Sequence, residues 1–265
     1  MIFGFIGTGN MGGALARAAA KTVEKQNLLL ADAYAPVAES LAQELGCEAV
    51  PAAQVAKIAN VIFLGVKPQV MEAMLSDIAP VLATRQDFVL VSMAAGVSIW
   101  DIRRMAGGDY PVIRIMPNLP VQVGVGMILY DYTNNVSEAF VQAFLHGMSQ
   151  AGRLDRLPEG LIDAGSALSG CGPAFVCLFA EALADGAVAC GLPREKAKLY
   201  AIQTILGTAQ TLLEKGMHPG ELKDAVCSPG GSTIAGVGAL EQGAFRASVI
   251  EAVAAAYQRT LELGK

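Results

Sequence analysis

The sequence has few charged residues and almost no histidine. Acidic and basic residues make up 16% of its 265 residues, only two histidines occur, and the formal net charge is −5. Typical soluble domains are about 25% charged. The basic residues form no cluster, which argues against nucleic acid as a partner. The five cysteines contain no C-x-x-C pair, so the sequence predicts no metal site.

The cysteines also lack the pattern of a disulfide framework. Their number is odd and their surroundings are rich in alanine and leucine, which predicts reduced thiols buried in the core. They are Cys47, Cys171, Cys177, Cys190 and Cys227.

Long apolar runs are absent too. The longest stretch without a charged residue, 164–180, contains serine, glycine and proline, whereas a spanning helix needs roughly 18 or more apolar residues. The first apolar run stops at Ile6 with no basic residue before it, which is not the pattern of a signal peptide. We therefore expect a cytoplasmic protein with no membrane partner.

What the sequence does contain is apolar residues, at 53%, and 29 glycines. In the first half, short β-type runs alternate with helical patterns, and several runs are continuously apolar. Such runs indicate a parallel sheet covered on both faces. The predicted strands are 1–6, 28–31, 61–66, 88–93, 112–116 and 126–130, with 153–157 as an edge strand.

After about Pro158 the β-type runs disappear and helical patterns follow one another. We predict an α/β protein with two domains, a Rossmann-type dinucleotide-binding domain over 1–157 and an all-α domain over 158–265. A helical half this apolar cannot cover its own surface, so part of that surface should meet another subunit.

A glycine-rich motif follows the first strand and opens a helix. Its residues are Gly7, Thr8, Gly9, Asn10, Met11 and Gly12. In this context the first glycine allows a tight turn, the second lets backbone approach a pyrophosphate, and the third lets the helix pack on the strand. Asp32 ends the next strand 20 residues after Gly12, as the dinucleotide fingerprint requires. A tight turn that binds nothing is the alternative.

Asp32 bears on the choice of dinucleotide. A carboxylate there accepts a hydrogen bond from a ribose 2′-hydroxyl and repels a 2′-phosphate, and Ala33 supplies no cation. This favours NAD(H), although hydroxyls such as that of Tyr34 leave NADP(H) open. The alternative is a solvated carboxylate at a strand end.

Three further strand-end turns should line the nicotinamide, because open α/β sheets bind ligands at the carboxyl ends of their strands. Asn118 can hydrogen-bond a carboxamide or a substrate, and Lys67 is either a cofactor contact or a solvated charge. The residues assigned to the cofactor from these turns are Val66, Lys67, Pro68, Ala94, Ala95 and Asn118.

A loop of small residues in the second half predicts an anion site. Successive small residues before a helix expose backbone N–H groups in a concave arrangement that binds anions, and hydroxyls add donors. Such a loop suits one carboxylate of a small substrate, although an ordinary inter-helix turn remains the alternative. The residues assigned to the substrate are Ser228, Gly230, Gly231, Ser232 and Thr233.

Candidates for a strong acid or base are scarce. His146 lies in a predicted surface helix, and His218 precedes a proline, where it is expected to cap a helix. The chemistry should therefore need little proton transfer from side chains.

The chain resembles pyrroline-5-carboxylate reductase from end to end. The matching segments are GFIGTGNMGGAL, VKPQ, SMAAGVSI, RIMPNLP, ALSGCGPAFV, GLPREKA and AVCSPGGSTIAGVGALE. The resemblance implies an intertwined homodimer, with a ring of dimers left open, and reduction of Δ1-pyrroline-5-carboxylate to L-proline by NADPH or NADH. It places residues 228–233 at the substrate carboxylate and the catalytic Thr233 near the ring nitrogen.

The sequence departs from the usual family pattern at a few positions. Cys171 replaces a usual serine, Leu119 a usual threonine, and Asp32-Ala33 an Asn-Arg-like pair, which leaves the cofactor preference open. Two alternatives remain. A β-hydroxyacid dehydrogenase would carry a catalytic lysine that SGCGPAFVCLF lacks, and a non-catalytic dinucleotide sensor gives no reason for the loop at 228–233.

Overall fold

The computed structural model describes residues 1–263. Its strands are β1 (Phe3–Ile6), β2 (Leu28–Ala31), β3 (Glu48–Ala49), β4 (Val61–Leu64), β5 (Val89–Ser92), β6 (Val112–Pro117), β7 (Gly126–Tyr132) and β8 (Gly152–Arg156). Its helices are α1 (Asn10–Ala19), α2 (Ala35–Leu45), α3 (Ala52–Ile58), α4 (Pro68–Leu82), α5 (Ile99–Ala106), α6 (Glu138–Met148), α7 (Glu159–Ser169), α8 (Gly172–Ala189), α9 (Arg194–Lys215), α10 (Pro219–Ala225), α11 (Ser232–Gln242) and α12 (Phe245–Leu263).

The strands form one sheet in the order β3-β2-β1-β4-β5-β6-β7-β8. All pairs from β3 to β6 are parallel, β7 runs antiparallel to β6, and β8 is parallel to β7. The predicted strands and the edge position of β8 are confirmed. The sequence reading missed the two-residue β3 and the antiparallel pair, which a short connection between β6 and β7 allows.

The sheet is covered on both faces, as its apolar runs predict. In β4, Val61 and Phe63 pack into one apolar cluster, while Ile62 and Leu64 pack into another. All four side chains are fully buried. Successive side chains of a strand point to opposite faces, so a continuous apolar run fits a strand between two helical layers.

Helix α7 packs on the sheet, although the sequence assigns it to the helical half. Arg114 of β6 is buried at 3% exposure, and its guanidinium pairs with Asp163 of α7 at 2.6 Å and with Glu159 at 3.4 Å. A Cβ on Gly165 would lie 2.5 Å from Leu129 of β7, so helix and strand approach closely. One compact unit accordingly comprises residues 1–170 and 256–263, and the other comprises 171–255.

Apolar side chains of the second unit are largely uncovered within the single chain. Helix α8 packs against α9 through a small cluster that includes Ala184, Ala197 and Ala201, yet many larger side chains remain exposed, Leu213 at 74% among them. An apolar groove of about 560 Å³ opens beside Phe179. Exposed apolar surface of this extent marks an interaction surface.

One helical stretch, Glu159–Ala189, has the length and composition of a membrane span, and the mean hydropathy of an 18-residue window within it is 1.6. The expectation that no segment reaches this level is therefore wrong. The stretch consists of two helices, α7 and α8, and 11% of its most apolar 18-residue window is buried. A single stretch that qualifies by length and composition is weak evidence for a membrane span.

The expectation of buried core cysteines is also wrong. Cys177 and Cys190 are exposed and the other three cysteines are half-buried. Four of the five lie from residue 171 onward, in the unit whose apolar faces are uncovered in the single chain. Cys47 belongs to the first unit, and burial raises the pKa of its thiol.

Candidate active site

The glycine turn between β1 and α1 has the geometry that the motif predicts. Gly7 has a φ of +92°, and a Cβ there would lie 2.6 Å from the backbone carbon of Gly65. A Cβ on Gly12 would lie 2.0 Å from the carbonyl oxygen of Gly7. A Cβ on Gly9, in contrast, would meet no heavy atom within 4 Å. Two glycines are therefore required by internal packing, and the third leaves its backbone open to a ligand.

The first turn of α1 is free to bind an anion. Gly9 is its N-cap residue, no side chain caps the helix, and its first turn contains no acidic residue. Asn10 and Met11 open the helix, with Asn10 exposed and Met11 half-buried. Uncapped N–H groups and the positive end of the helix dipole favour a phosphate at this position.

Asp32, just beyond the end of β2, contacts the glycine turn directly. Its Oδ2 accepts a hydrogen bond from the Thr8 backbone N–H at 2.8 Å and another from the Thr8 hydroxyl at 3.3 Å. Its Oδ1 accepts from the backbone N–H of Tyr34 at 3.0 Å. The sequence reading placed Asp32 near the cofactor ribose but missed these contacts, which only the register of β1 beside β2 reveals.

The other turns assigned to the cofactor lie at the same edge of the sheet. β1, β2, β4, β5 and β6 are parallel, so their carboxyl ends meet there. After β4, Val66 is half-buried, the exposed Lys67 is the N-cap of α4, and Pro68 begins that helix. After β5, Ala94 is buried and Ala95 exposed.

Asn118, after β6, is engaged by the protein itself. Its Nδ2 donates to the Ser169 carbonyl oxygen at 2.9 Å, and its Oδ1 accepts from the Met127 backbone N–H at 2.8 Å. The sequence suggested a free amide for a carboxamide or substrate. The structure leaves one amide N–H for that purpose and shows that Asn118 also ties β6 to β7 and to the last turn of α7.

The loop at 228–233, in the second unit, forms a tight turn before α11. The N–H of Gly231 donates to the Ser228 carbonyl oxygen at 3.0 Å, and Gly230 has a φ of +68°. Gly231 is the N-cap of α11 and no side chain caps this helix. Ser232 and Thr233 open the helix and are exposed. The loop thus presents uncapped N–H groups and hydroxyls to solvent, as an anion site requires.

His218 caps α10, as its position before a proline predicts. Its Nδ1 accepts a hydrogen bond from the Gly220 N–H at 3.1 Å, and Glu221 accepts one from the His218 N–H at 3.3 Å. Within residues 1–263, no group of three or more histidine, cysteine or acidic side chains could hold a metal ion. Binding and positioning groups, rather than a strong acid or base, make up the candidate site.

Comparison with known proteins gives the family. The chain is 41% identical over 265 residues to pyrroline-5-carboxylate reductase from Synechocystis, covering 99% of this chain and 98% of the relative. It is 40% identical over 266 residues to the Escherichia coli enzyme of that name, with the same coverage. The chain belongs to the pyrroline-5-carboxylate reductase family. The resemblance carried by the sequence motifs is confirmed, which decides against the β-hydroxyacid dehydrogenase alternative.

Domain and structure comparisons agree with this family. Residues 159–263 match the model described as pyrroline-5-carboxylate reductase dimerisation, and residues 2–96 match that described as NADP oxidoreductase, coenzyme F420-dependent. The Plasmodium falciparum pyrroline carboxylate reductase, solved with NADP bound, is 30% identical with a TM-score of 0.88, covering 100% of this chain and 98% of that one. A Rossmann-type N-terminal domain and a helical dimerisation domain are therefore the fold of this reductase family member, as predicted.

Proposed function

We propose that this chain is a pyrroline-5-carboxylate reductase that transfers a hydride from NAD(P)H to C5 of the imine of Δ1-pyrroline-5-carboxylate, giving L-proline. The observation that carries the proposal is identity of about 40% with enzymes of that name over the whole chain. The glycine turn and the loop at 228–233 supply binding groups suited to a dinucleotide and a small carboxylate. Such an enzyme is expected to work in the cytoplasm.

The chemistry of the imine fits the scarcity of acid and base groups. A cyclic imine is readily protonated, and the iminium ion accepts a hydride without further activation. The protein must then hold the nicotinamide C4 against the imine carbon, and well-oriented reactions gain up to about 7–11 kcal/mol from positioning alone. In this proposal N–H groups at the start of α11 bind the substrate carboxylate, and the Thr233 hydroxyl hydrogen-bonds the ring nitrogen.

The cofactor contacts proposed for the first unit follow the same edge of the sheet. The uncapped start of α1 and the open backbone at Gly9 bind the pyrophosphate. The turns after β4, β5 and β6 line the nicotinamide, with Lys67 and Asn118 as its polar neighbours. Asp32 lies just beyond the end of β2 beside the glycine turn, and both NADH and NADPH are expected to serve as hydride donors.

An activity assay tests the proposed function. Purified protein should oxidise NADH or NADPH only when Δ1-pyrroline-5-carboxylate is added, followed as loss of absorbance by the reduced nicotinamide. A dinucleotide sensor would bind the cofactor without turnover. Oxidation of a 3-hydroxyacid with no turnover of the imine would refute the proposal.

Self-association is expected through the second unit, and we propose a homodimer, with larger rings of dimers left open. Ile250 of α12 is 69% exposed within the chain and stands on the helix that lines the apolar groove. Ile250→Glu should leave the protomer folded, because the side chain is not buried in it, but should weaken the dimer by placing a charge in a dry interface.

Light scattering across a dilution series measures this effect. The matched control is Val37→Glu, which introduces the same charge on α2 of the first unit at a half-exposed apolar position, 38% exposed. The control should remain a dimer at concentrations where Ile250→Glu is monomeric. Equal dissociation of the two variants would count against an interface on this unit.

A further inference from the structure

We propose that Asp32 is a positioning residue for the glycine turn, and that its effect on cofactor binding runs through that turn rather than through the adenosine ribose. This inference rests on the proposed function, in which the turn binds the cofactor pyrophosphate. It differs from the usual role of an acidic residue at this place in a dinucleotide-binding fold, which is to accept a hydrogen bond from the ribose 2′-hydroxyl.

The first argument is that the carboxylate is already engaged. It accepts three hydrogen bonds from within the protein, two from Thr8 and one from Tyr34, and both of its oxygens take part. An ionised carboxylate offers about four acceptor sites, so about one remains for a ligand. A ribose hydroxyl would therefore donate to a carboxylate that already accepts three hydrogen bonds from the protein.

The second argument is that the Asp32 carboxylate satisfies two backbone N–H groups at once. Thr8 and Tyr34 donate to different oxygens of Asp32, whereas an asparagine would present one oxygen and one NH₂ group, itself a donor. An asparagine that keeps its oxygen toward the buried Thr8 turns its NH₂ toward Tyr34, and its bond to the turn no longer has a charged acceptor. A hydrogen bond to a charged acceptor is stronger than one to a neutral acceptor, so the substitution weakens the attachment of the turn.

The third argument is the place of Thr8 in the turn. Backbone packing constrains the glycines on either side of the motif, since a Cβ on Gly7 or on Gly12 would clash with backbone atoms. Thr8 lies between Gly7 and the open Gly9 and is itself buried. The bond from its N–H to Asp32 ties this segment, which faces the pyrophosphate in the proposed function, to the end of β2.

The test measures how one substitution, Asp32→Asn, changes the affinity for two cofactors. NADH and 2′-deoxy-NADH, which lacks the adenosine 2′-hydroxyl, are titrated against wild-type protein and Asp32→Asn, with Kd measured by nicotinamide fluorescence. If Asp32 acts through the turn, Asp32→Asn weakens both cofactors by the same factor, about tenfold for the loss of one charge-assisted hydrogen bond. A loss on 2′-deoxy-NADH that is less than half, on a logarithmic scale, of the loss on NADH overturns the proposal.

Two variants complete the experiment. Asp87→Asn makes the same chemical change just before β5, at the opposite edge of the sheet, and should leave both Kd values unchanged. If Asp32→Asn does not fold, as judged by circular dichroism, Asp32→Ser carries the same comparison with a smaller side chain. Failure of the proposed function can be told apart from failure of this proposal. In the first case the wild-type protein itself would not bind either cofactor, or it would not turn over the imine.

Discussion

Thr233→Ala is expected to lower kcat/KM for the imine roughly tenfold to a hundredfold. A hydrogen bond to a group that is charged, or that becomes charged in the transition state, contributes about 1.5–3 kcal/mol. Thr233 opens α11 and is exposed in the chain, so its truncation should not unfold the protein. The Kd for the reduced nicotinamide should barely change, since the proposed cofactor contacts belong to the first unit. Steady-state kinetics and fluorescence titration separate the two effects.

Thr233→Ser is the matched control, because it keeps the hydroxyl and removes only a methyl group. It should retain most of the activity that Thr233→Ala loses. Near-normal turnover of the imine by Thr233→Ala would mean that the hydroxyl plays no part in the reaction. An equal loss in both variants would instead assign the effect to the methyl group and its packing.

Asp163→Ala is expected to destabilise the protein by roughly 1–3 kcal/mol, because the buried Arg114 guanidinium loses its nearer carboxylate partner. The Asp163 side chain is 27% exposed, so the loss is smaller than for a fully buried pair. Its partner Arg114 is 3% exposed. The pair joins Arg114 Nη2 to Asp163 Oδ1 at 2.6 Å, and Glu159 at 3.4 Å is a weaker second partner. Among residues 1–263, the Nε of Arg114 is buried and has no hydrogen-bond partner, so this guanidinium depends on its ion pairs.

Urea unfolding at a fixed protein concentration measures the change, because the stability of an oligomer depends on that concentration. The double variant Arg114→Met/Asp163→Leu removes both charges and should recover most of the loss, as apolar replacements of buried ion pairs often do. The prediction is wrong if Asp163→Ala is as stable as wild type, or if the double variant is less stable than Asp163→Ala.

Much of the fold could be predicted because it depends on local sequence. Apolar runs such as that of β4 report burial on two sides, and the spacing of Gly7, Gly9 and Gly12 reports a turn at which a helix must approach a strand. The residues that form each of these patterns lie close together in the sequence. The helical character of the second half follows equally from periodicity and from glycine and proline positions.

The parts that could not be predicted depend on which distant residues meet. Asp32 and Thr8 are 24 residues apart, and Asn118 and Ser169 are 51 residues apart. No local pattern reports either contact. Helix α7 has the composition of the helical half, and its packing on the sheet shows only in the structure, through contacts such as the ion pair from Arg114. Four of the five cysteines lie in the unit whose apolar side chains are largely uncovered within the single chain, which the composition around each cysteine does not reveal.

The attachment of α7 determines where recombination between members of this family should cut the chain. A crossover at 157/158 would pair one parent's Arg114 with the other parent's Glu159 and Asp163, and would place the Ser169 carbonyl that Asn118 contacts on the other parent's helix. A crossover between Gly170 and Cys171 keeps all of these partners from a single parent. Hybrid enzymes that exchange cofactor and substrate halves should therefore inherit this helix together with the sheet.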